Sequence, residues 1–171
     1  MAASADNPQD AAIYKVAAFT GLRQGELLAL RWGCVDFVDG LLHVRRNYTG
    51  GVEKVPKGKR VRSVPMMPAV IDALAELKNR EHFTGDDDLV FCSTVGDHVD
   101  HFALRRRYYD ALDRANLRRI RFHDLRHTHA TLLLQAGISP KVVSERLGHA
   151  TVGFTMRVYA HVIPGMQADA A

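Results

Sequence analysis

Residues 121–131 read R-F-H-D-L-R-H-T-H-A-T, and they place three histidines, an aspartate and arginines within about three helical turns. Few core helices carry so many polar groups. This density is compatible with a metal site, with a nucleic-acid-binding face or with an active site of another kind.

A metal site is the first alternative. His123 and His127 are four residues apart, so a helix presents them on one face, and Asp124 imitates the acid of an H-E-x-x-H zinc motif. However, aspartate reaches less far than glutamate, Arg126 lies beside the pair and would repel a dication, and no third ligand follows at a suitable distance. The segment therefore disfavours zinc, and neutral histidines hydrogen-bonded in a core remain the simpler alternative.

Four other stretches carry a polar side chain at a turn or in a short helix. Arg23 follows a glycine turn in T-G-L-R-Q-G-E-L-L-A-L-R-W, and Lys57 lies in the turn-like P-K-G-K-R-V-R-S-V-P. His149 follows a glycine in L-G-H-A-T, and Tyr159 lies in F-T-M-R-V-Y-A-H-V. Each alone is weak, because a lone arginine is usually a surface residue and a lone tyrosine is usually half-buried packing.

Together with H-D-L-R-H-T-H-A-T, these stretches resemble the boxes of the tyrosine recombinases, the phage-integrase family. The boxes stand in the family's order, from Thr20 to Val162. The resemblance implies a catalytic domain that cleaves and rejoins DNA for site-specific recombination or integration, through a covalent 3′-phosphotyrosyl intermediate and without a metal or another cofactor.

The resemblance also implies a role for each catalytic residue. Arg23 and Arg126 would clamp the scissile phosphate, a task that suits a permanent charge and a bidentate fork. Tyr159 would be the nucleophile and Lys57 would protonate the leaving 5′ oxygen. His123 and His149 would hydrogen-bond the phosphate and assist proton transfer.

Other residues are assigned less sharply. Glu26 is expected either to orient an arginine or to face solvent. Asp124 is expected to be structural, as a cap at the start of its helix, or to support the site from behind. His127 and His129 are expected to be structural or to support the site from behind. Flanking DNA phosphates would be contacted by further basic residues: Lys59, Arg60, Arg62, Arg105, Arg106, Arg107, Arg118, Arg119 and Arg121.

Composition agrees with an anionic partner. The length of 171 residues suggests one domain. The net charge of +4 makes the chain modestly basic. The charge is uneven: residues 101–126 hold eight arginines against three aspartates, whereas residues 67–100 hold two basic residues against eight acidic ones. Separated charge can build a positive face for DNA, although an ordinary solvated surface would give a similar pattern.

The sequence predicts neither a targeting signal nor a membrane span. No apolar run approaches the length of about 18 residues that a membrane helix needs, and the first residues do not read as a signal peptide. Two cysteines without a CxxC pair suit a reducing compartment, so the cytoplasm is the default expectation, without a membrane partner.

The pattern predicts an α+β fold that is mainly helical, with a small three-stranded antiparallel sheet. Asp39-Gly40 predicts a hairpin inside V-D-F-V-D-G-L-L-H-V, and a third strand is expected at about residues 60–66. Helices are expected at seven places: residues 8–20, 24–30, 68–80, 101–115, 122–136, 140–147 and 152–161.

Residues 1–171 are expected to form one catalytic domain without the family's N-terminal DNA-binding domain. The full-length protein would assemble as a tetramer on double-stranded DNA, and this fragment would be a monomer. Two alternatives stay open: a DNA-binding remnant that does not cleave, and a relaxing enzyme similar to type IB topoisomerases.

Overall fold

The computed structural model describes residues 1–55 and 61–162, the side chain of Val162 excepted. Seven α-helices lie in this part of the chain: α1 Pro8–Thr20, α2 Gln24–Leu28, α3 Pro68–Lys78, α4 His101–Arg114, α5 Asp124–Gln135, α6 Pro140–Leu147 and α7 Val152–Tyr159. Their positions match the seven expected helices, with bounds that differ by up to two residues. Sequence signals at the ends explain this agreement: Ser139 caps α6, and Gly148 ends it in a left-handed conformation.

A three-stranded antiparallel sheet has the order β1–β2–β5, in which β1 is Val35–Asp36, β2 is Leu41–Val44 and β5 is Arg62–Pro65. The turn between β1 and β2 is closed by the Asp36 carboxylate, which accepts hydrogen bonds from the backbone amides of Val38 and Asp39. The predicted sheet and the predicted α+β class are both confirmed.

A second hairpin was not predicted. It joins β3, Asn47–Thr49, to β4, Val52–Lys54, through Gly50 and Gly51. Both glycines have a positive φ, 62° and 78°, which is the conformation that a tight hairpin turn demands. The Gly-Gly pair was the available signal for this element.

The helices enclose two hydrophobic clusters. The larger one surrounds α1, whose Ile13, Tyr14 and Val16 are fully buried. The smaller one lies between α5, α6 and α7, and it includes Leu134, Leu147 and the ring of Tyr159. No helix within the two described ranges is long and apolar enough to cross a membrane.

Candidate active site

Arg126 lies at the boundary of these clusters on α5, and only 4% of its surface is exposed. Its Nη1 donates to the carbonyl of Gly21 and its Nη2 to the carbonyl of Leu147, both at 2.6 Å. Burial, and then the charge of Arg23, lower the pKa of Arg126 to about 10. The group therefore stays a cation at neutral pH, held in place from both sides.

Gly21 allows this arrangement. It ends α1 with φ +68°, and a Cβ atom at this position would lie 2.7 Å from Leu147 Cδ2 and 2.8 Å from His129 Cδ2. Both the backbone conformation and the close contact with α5 and α6 therefore require glycine. The carbonyl of the same residue is one of the two that hold Arg126.

Glu26 on α2 is buried and binds two arginines. Its carboxylate accepts from the backbone amide of Arg23 at 2.8 Å and from Arg23 Nη1 at 2.9 Å. It also accepts a bidentate pair from Arg62, at 2.9 and 2.7 Å. Burial alone would raise the pKa of Glu26, but the hydrogen bonds and charges of Arg62 and Arg23 lower it, so the carboxylate is ionised. The expected alternative of a solvent-facing glutamate is wrong.

The last carbonyls of α6 receive three different guanidinium groups. Arg62 Nε donates to the carbonyl of Arg146 at 2.9 Å, Arg126 Nη2 donates to that of Leu147, and Arg23 Nη2 donates to that of Gly148 at 3.1 Å. The final carbonyls of a helix lack intrahelical partners and carry partial negative charge. The end of α6 thus gathers three cations in one place.

We call Arg23, Arg62 and Arg126 the arginine cluster. One ionised carboxylate, that of Glu26, hydrogen-bonds within it, so the cluster keeps an excess of positive charge. Arg23 is the accessible member, with 40% of its side chain exposed. An anion that approached Arg23 would therefore meet donors that are already positioned.

Arg23 and His123 meet at an open cavity of about 290 Å³, which is also lined by Tyr48 and Gly50 of the second hairpin and by His101. His123 is exposed and precedes the first turn of α5. Partial burial, the neighbouring His127 and the charge of Arg126 lower the pKa of His123. The permanent cation of Arg23 therefore lies beside the imidazole of His123, which is neutral at physiological pH.

His149 directly follows Gly148 at the end of α6. Its Nδ1 forms a 2.7 Å hydrogen bond with Thr155 Oγ1 on α7. Burial and the charges of the arginine cluster lower the pKa of His149 to about 4. This imidazole is neutral at pH 7, so it would act as a hydrogen-bonding group rather than as a charge.

Tyr159 is 3% exposed, and its ring packs in the smaller cluster. Its hydroxyl forms a 2.7 Å hydrogen bond with His127 Nδ1. Burial raises the pKa of Tyr159, while the positive charge of Arg126 acts in the opposite direction. Sequence reasoning did not assign His127 to the phenol, although its placement one turn after His123 put it on the same helical face.

Lys57 lies outside the described residues, as do Lys59 and Arg60. The other expected DNA contacts have different environments. Arg62 was expected on the DNA face, but its guanidinium points into the arginine cluster and its side chain is 14% exposed. Arg107 binds the fully buried Asp10, with Nε–Oδ2 at 2.6 Å, so it ties α4 to α1.

The remaining arginines that were expected to contact DNA lie on the surface. Arg105, Arg106 and Arg118 are exposed, and Arg119 is paired with Asp113. Arg121 is paired with Asp124, whose carboxylate also accepts from the backbone amide of Arg121 at 2.8 Å. Asp124 therefore closes the turn before α5; the expected capping position is occupied by His123 instead.

The third histidine of the segment, His129, is buried beneath the site. Arg146 Nε donates to His129 Nε2 at 2.9 Å, which requires a neutral imidazole at that nitrogen. Burial and the charge of Arg146 lower the pKa of His129 to about 4. Within the described ranges, no group of three or more histidine, cysteine, aspartate or glutamate side chains lies together as a metal would require.

His129 should make the protein sensitive to acid. Its pKa is lower in the folded chain than in the unfolded one, so the unfolded chain binds the extra proton between about pH 6.5 and pH 4. The free energy of unfolding should be fully present above this window and should fall by about 3 kcal/mol as pH falls through it. Urea unfolding across this range, compared with His129→Gln, measures the effect; parallel profiles for the two proteins would contradict it.

Glu26→Gln should destabilise the fold strongly. The amide is neutral, so it cannot balance the charges of Arg62 and Arg23, and its NH2 group would face their donors. Removal of one partner from a buried ion pair costs about 3–5 kcal/mol. We expect a loss of this size in the free energy of unfolding, measured in urea at neutral pH.

Glu53→Gln is the matched control, because Glu53 also accepts from two arginines, Arg31 at 2.9 Å and Arg46 at 2.8 Å. The Glu53 side chain is 17% exposed against 4% for Glu26, so we expect a smaller loss, of about 1 kcal/mol. Equal losses in the two variants would show that burial of the Glu26 charge is not the cause.

Comparison with known proteins identifies the family. The model of the phage integrase family matches residues 1–165. A tyrosine recombinase XerC-like protein of Caldanaerobacter subterraneus subsp. tengcongensis is 35% identical, over 93% of this chain and 47% of that protein. The chain therefore belongs to the phage integrase family, as its motifs indicated. It spans about half the length of the curated relatives it matches.

Solved structures agree. The crystal structure of XerA recombinase superimposes with a TM-score of 0.75 at 28% identity, covering 99% of this chain and 57% of XerA. The XerH site-specific recombinase, in a post-cleavage complex with a palindromic difH substrate, gives a TM-score of 0.74 at 28% identity, covering 95% of this chain and 45% of XerH.

Proposed function

We propose that this chain is the catalytic portion of a site-specific DNA recombinase that cleaves and rejoins strands through a covalent bond between Tyr159 and a 3′-phosphate. The observation that carries the proposal is the arginine cluster at the end of α6. Attack on a phosphodiester adds negative charge to the non-bridging oxygens, and preorganised donors are the largest source of stabilisation for such charge. Its relatives include a recombinase solved in a post-cleavage complex with its substrate.

Each member of the site would take a distinct part. Arg23 reaches the cavity and would hold the phosphate there, while Arg126 would supply charge from behind. His123 and the neutral His149 would donate hydrogen bonds to phosphate oxygens. Lys57, which lies outside the described residues, would protonate the leaving 5′ oxygen.

The partner would be double-stranded DNA, bound by the exposed arginines Arg105, Arg106 and Arg118 through their charge. Contacts of this kind position a protein without reading sequence. We expect binding that weakens as salt rises. The full-length protein would work as a tetramer that brings two duplexes together, and this chain alone would be a monomer.

Covalent capture tests the proposal directly. The purified chain is mixed with a library of nicked duplexes of random sequence, in EDTA, and SDS-resistant protein–DNA adducts are recovered. The attached peptide is identified by mass spectrometry, and the attached DNA is sequenced. An adduct on the peptide that contains Tyr159 supports the proposal. Salt-sensitive binding without any adduct would favour a DNA-binding remnant, and relaxation of supercoiled DNA without strand exchange would favour a topoisomerase.

A further inference from the structure

The nucleophile has a hydrogen-bond partner that the proposed roles do not include. His127 Nδ1 lies 2.7 Å from Tyr159 Oη, and the two rings are tilted at 52° with centroids 5.8 Å apart. The two residues are on different helices, α5 and α7, so the packing of these helices brings them together. We infer that His127 is the general base that accepts the phenol proton when Tyr159 attacks DNA, an inference that rests on the proposed function.

The other two histidines of the site are placed for different tasks. His149 Nδ1 is engaged with Thr155, on the side of the imidazole that faces α7. His123 is packed edge-to-face against His127, with ring centroids 4.9 Å apart and an angle of 85°. His127 is thus the imidazole that contacts the phenol oxygen, and it also connects the buried tyrosine to the exposed edge of the cavity.

The environment of Tyr159 makes such a base necessary. Burial raises the pKa of the phenol, so the charge of Arg126 alone does not produce a phenolate near neutral pH. An imidazole at hydrogen-bond distance can take the proton as the new bond forms, which is the usual task of histidine in general base catalysis.

Strand cleavage moves two protons, one at each end of the reacting phosphate. The Tyr159 O–H bond breaks and its proton moves to His127 Nδ1, while Tyr159 Oη bonds to phosphorus. The bond between phosphorus and the 5′ oxygen breaks, and the bonding electron pair stays on that oxygen. Lys57 then gives the oxygen a proton. In rejoining, the 5′ hydroxyl attacks phosphorus, its proton returns to Lys57, and His127 returns a proton to the tyrosine as it leaves.

Two asparagine variants separate this role from a structural one. In His127→Asn, the Oδ1 atom can occupy the place of Nδ1 and accept the hydrogen bond, but it cannot hold the proton. His123→Asn is the matched control at the N-cap of the same helix, four residues before His127. The rate of adduct formation in a single turnover is measured against pH, on the nicked duplex recovered by covalent capture.

We expect His127→Asn to slow adduct formation by about 100-fold or more near neutral pH. Its rate should then rise about tenfold per pH unit, because hydroxide replaces the base. The same variant should be rescued by a fluorinated tyrosine at position 159, whose phenol is more acidic. His123→Asn should lower the rate but keep the pH profile of the unsubstituted chain.

The experiment distinguishes failure of the inference about His127 from failure of the proposed function. If the unsubstituted chain forms adducts and His127→Asn keeps its pH profile, the inference is wrong and the proposed function stands. If no adduct forms at all, both fall. NMR of the ¹⁵N-histidine-labelled chain adds a check that needs no substitution: Nδ1 of His127 must be unprotonated at neutral pH, and a proton fixed on Nδ1 would overturn the inference.

Discussion

Tyr159→Phe should abolish covalent attachment to DNA. The change removes one oxygen, the only atom of this side chain that can attack phosphorus, and it leaves the ring in the smaller hydrophobic cluster. The lost hydrogen bond to His127 should lower the free energy of unfolding by only about 1 kcal/mol, because the partly exposed imidazole can bind water instead. We expect no SDS-resistant adduct and unchanged salt-dependent DNA binding, measured side by side by gel analysis and by fluorescence anisotropy.

Tyr108→Phe provides the matched control. It makes the same chemical change at another buried tyrosine, whose hydroxyl has no hydrogen-bond partner in the part of the chain that the structure describes. The Tyr108 ring packs edge-to-face on Phe122, with centroids 5.2 Å apart, and this contact survives the substitution. Adduct yield should be that of the unsubstituted chain. Persistent adducts in the Tyr159 variant would show that another residue is the nucleophile.

Arg126→Ala should reduce both cleavage and stability. The guanidinium satisfies the carbonyls of Gly21 and Leu147, so its removal affects the fold as well as the reaction. A buried polar group without its partner costs about 1–3 kcal/mol, so we expect the free energy of unfolding to fall by about 2–6 kcal/mol. Loss of a preorganised donor should slow adduct formation by about 100- to 1000-fold.

Arg126→Lys separates the two tasks. The ammonium keeps the charge and can bind one carbonyl, so much of the stability should return, but it lacks the fork that holds both carbonyls and fixes the position of the charge. Single-turnover cleavage should stay low in this variant, while urea unfolding approaches that of the unsubstituted chain.

Arg146→Lys is the comparison, because Arg146 donates to His129 and to the carbonyls of Phe19 and Pro65 without a proposed contact to DNA. A similar loss of stability with a much smaller loss of cleavage is expected. Equal losses of cleavage in the Arg126 and Arg146 lysine variants would mean that Arg126 acts through the fold alone.

The sequence by itself determined the elements and the family. Helix starts and stops depend on neighbouring residues, such as Asn7-Pro8 before α1 and Ser139-Pro140 before α6, and these signals can be read locally. The Asp39-Gly40 turn is an equally local signal, and each motif of the family can be recognised within a short stretch of sequence. The second hairpin was missed because β3 and β4 have three residues each, too few for an alternating pattern to stand out.

Only the tertiary structure decided the partners of the polar side chains. Arg23 meets Gly148 across 125 residues of sequence, Arg62 meets Glu26 across 36, and His127 meets Tyr159 across 32. A basic residue looks the same in sequence whether it faces solvent or enters a charged cluster, because its environment depends on which helix ends pack together. For that reason Arg62 was expected on the DNA face, and the contact between His127 and Tyr159 became visible only once α5 and α7 were packed against each other.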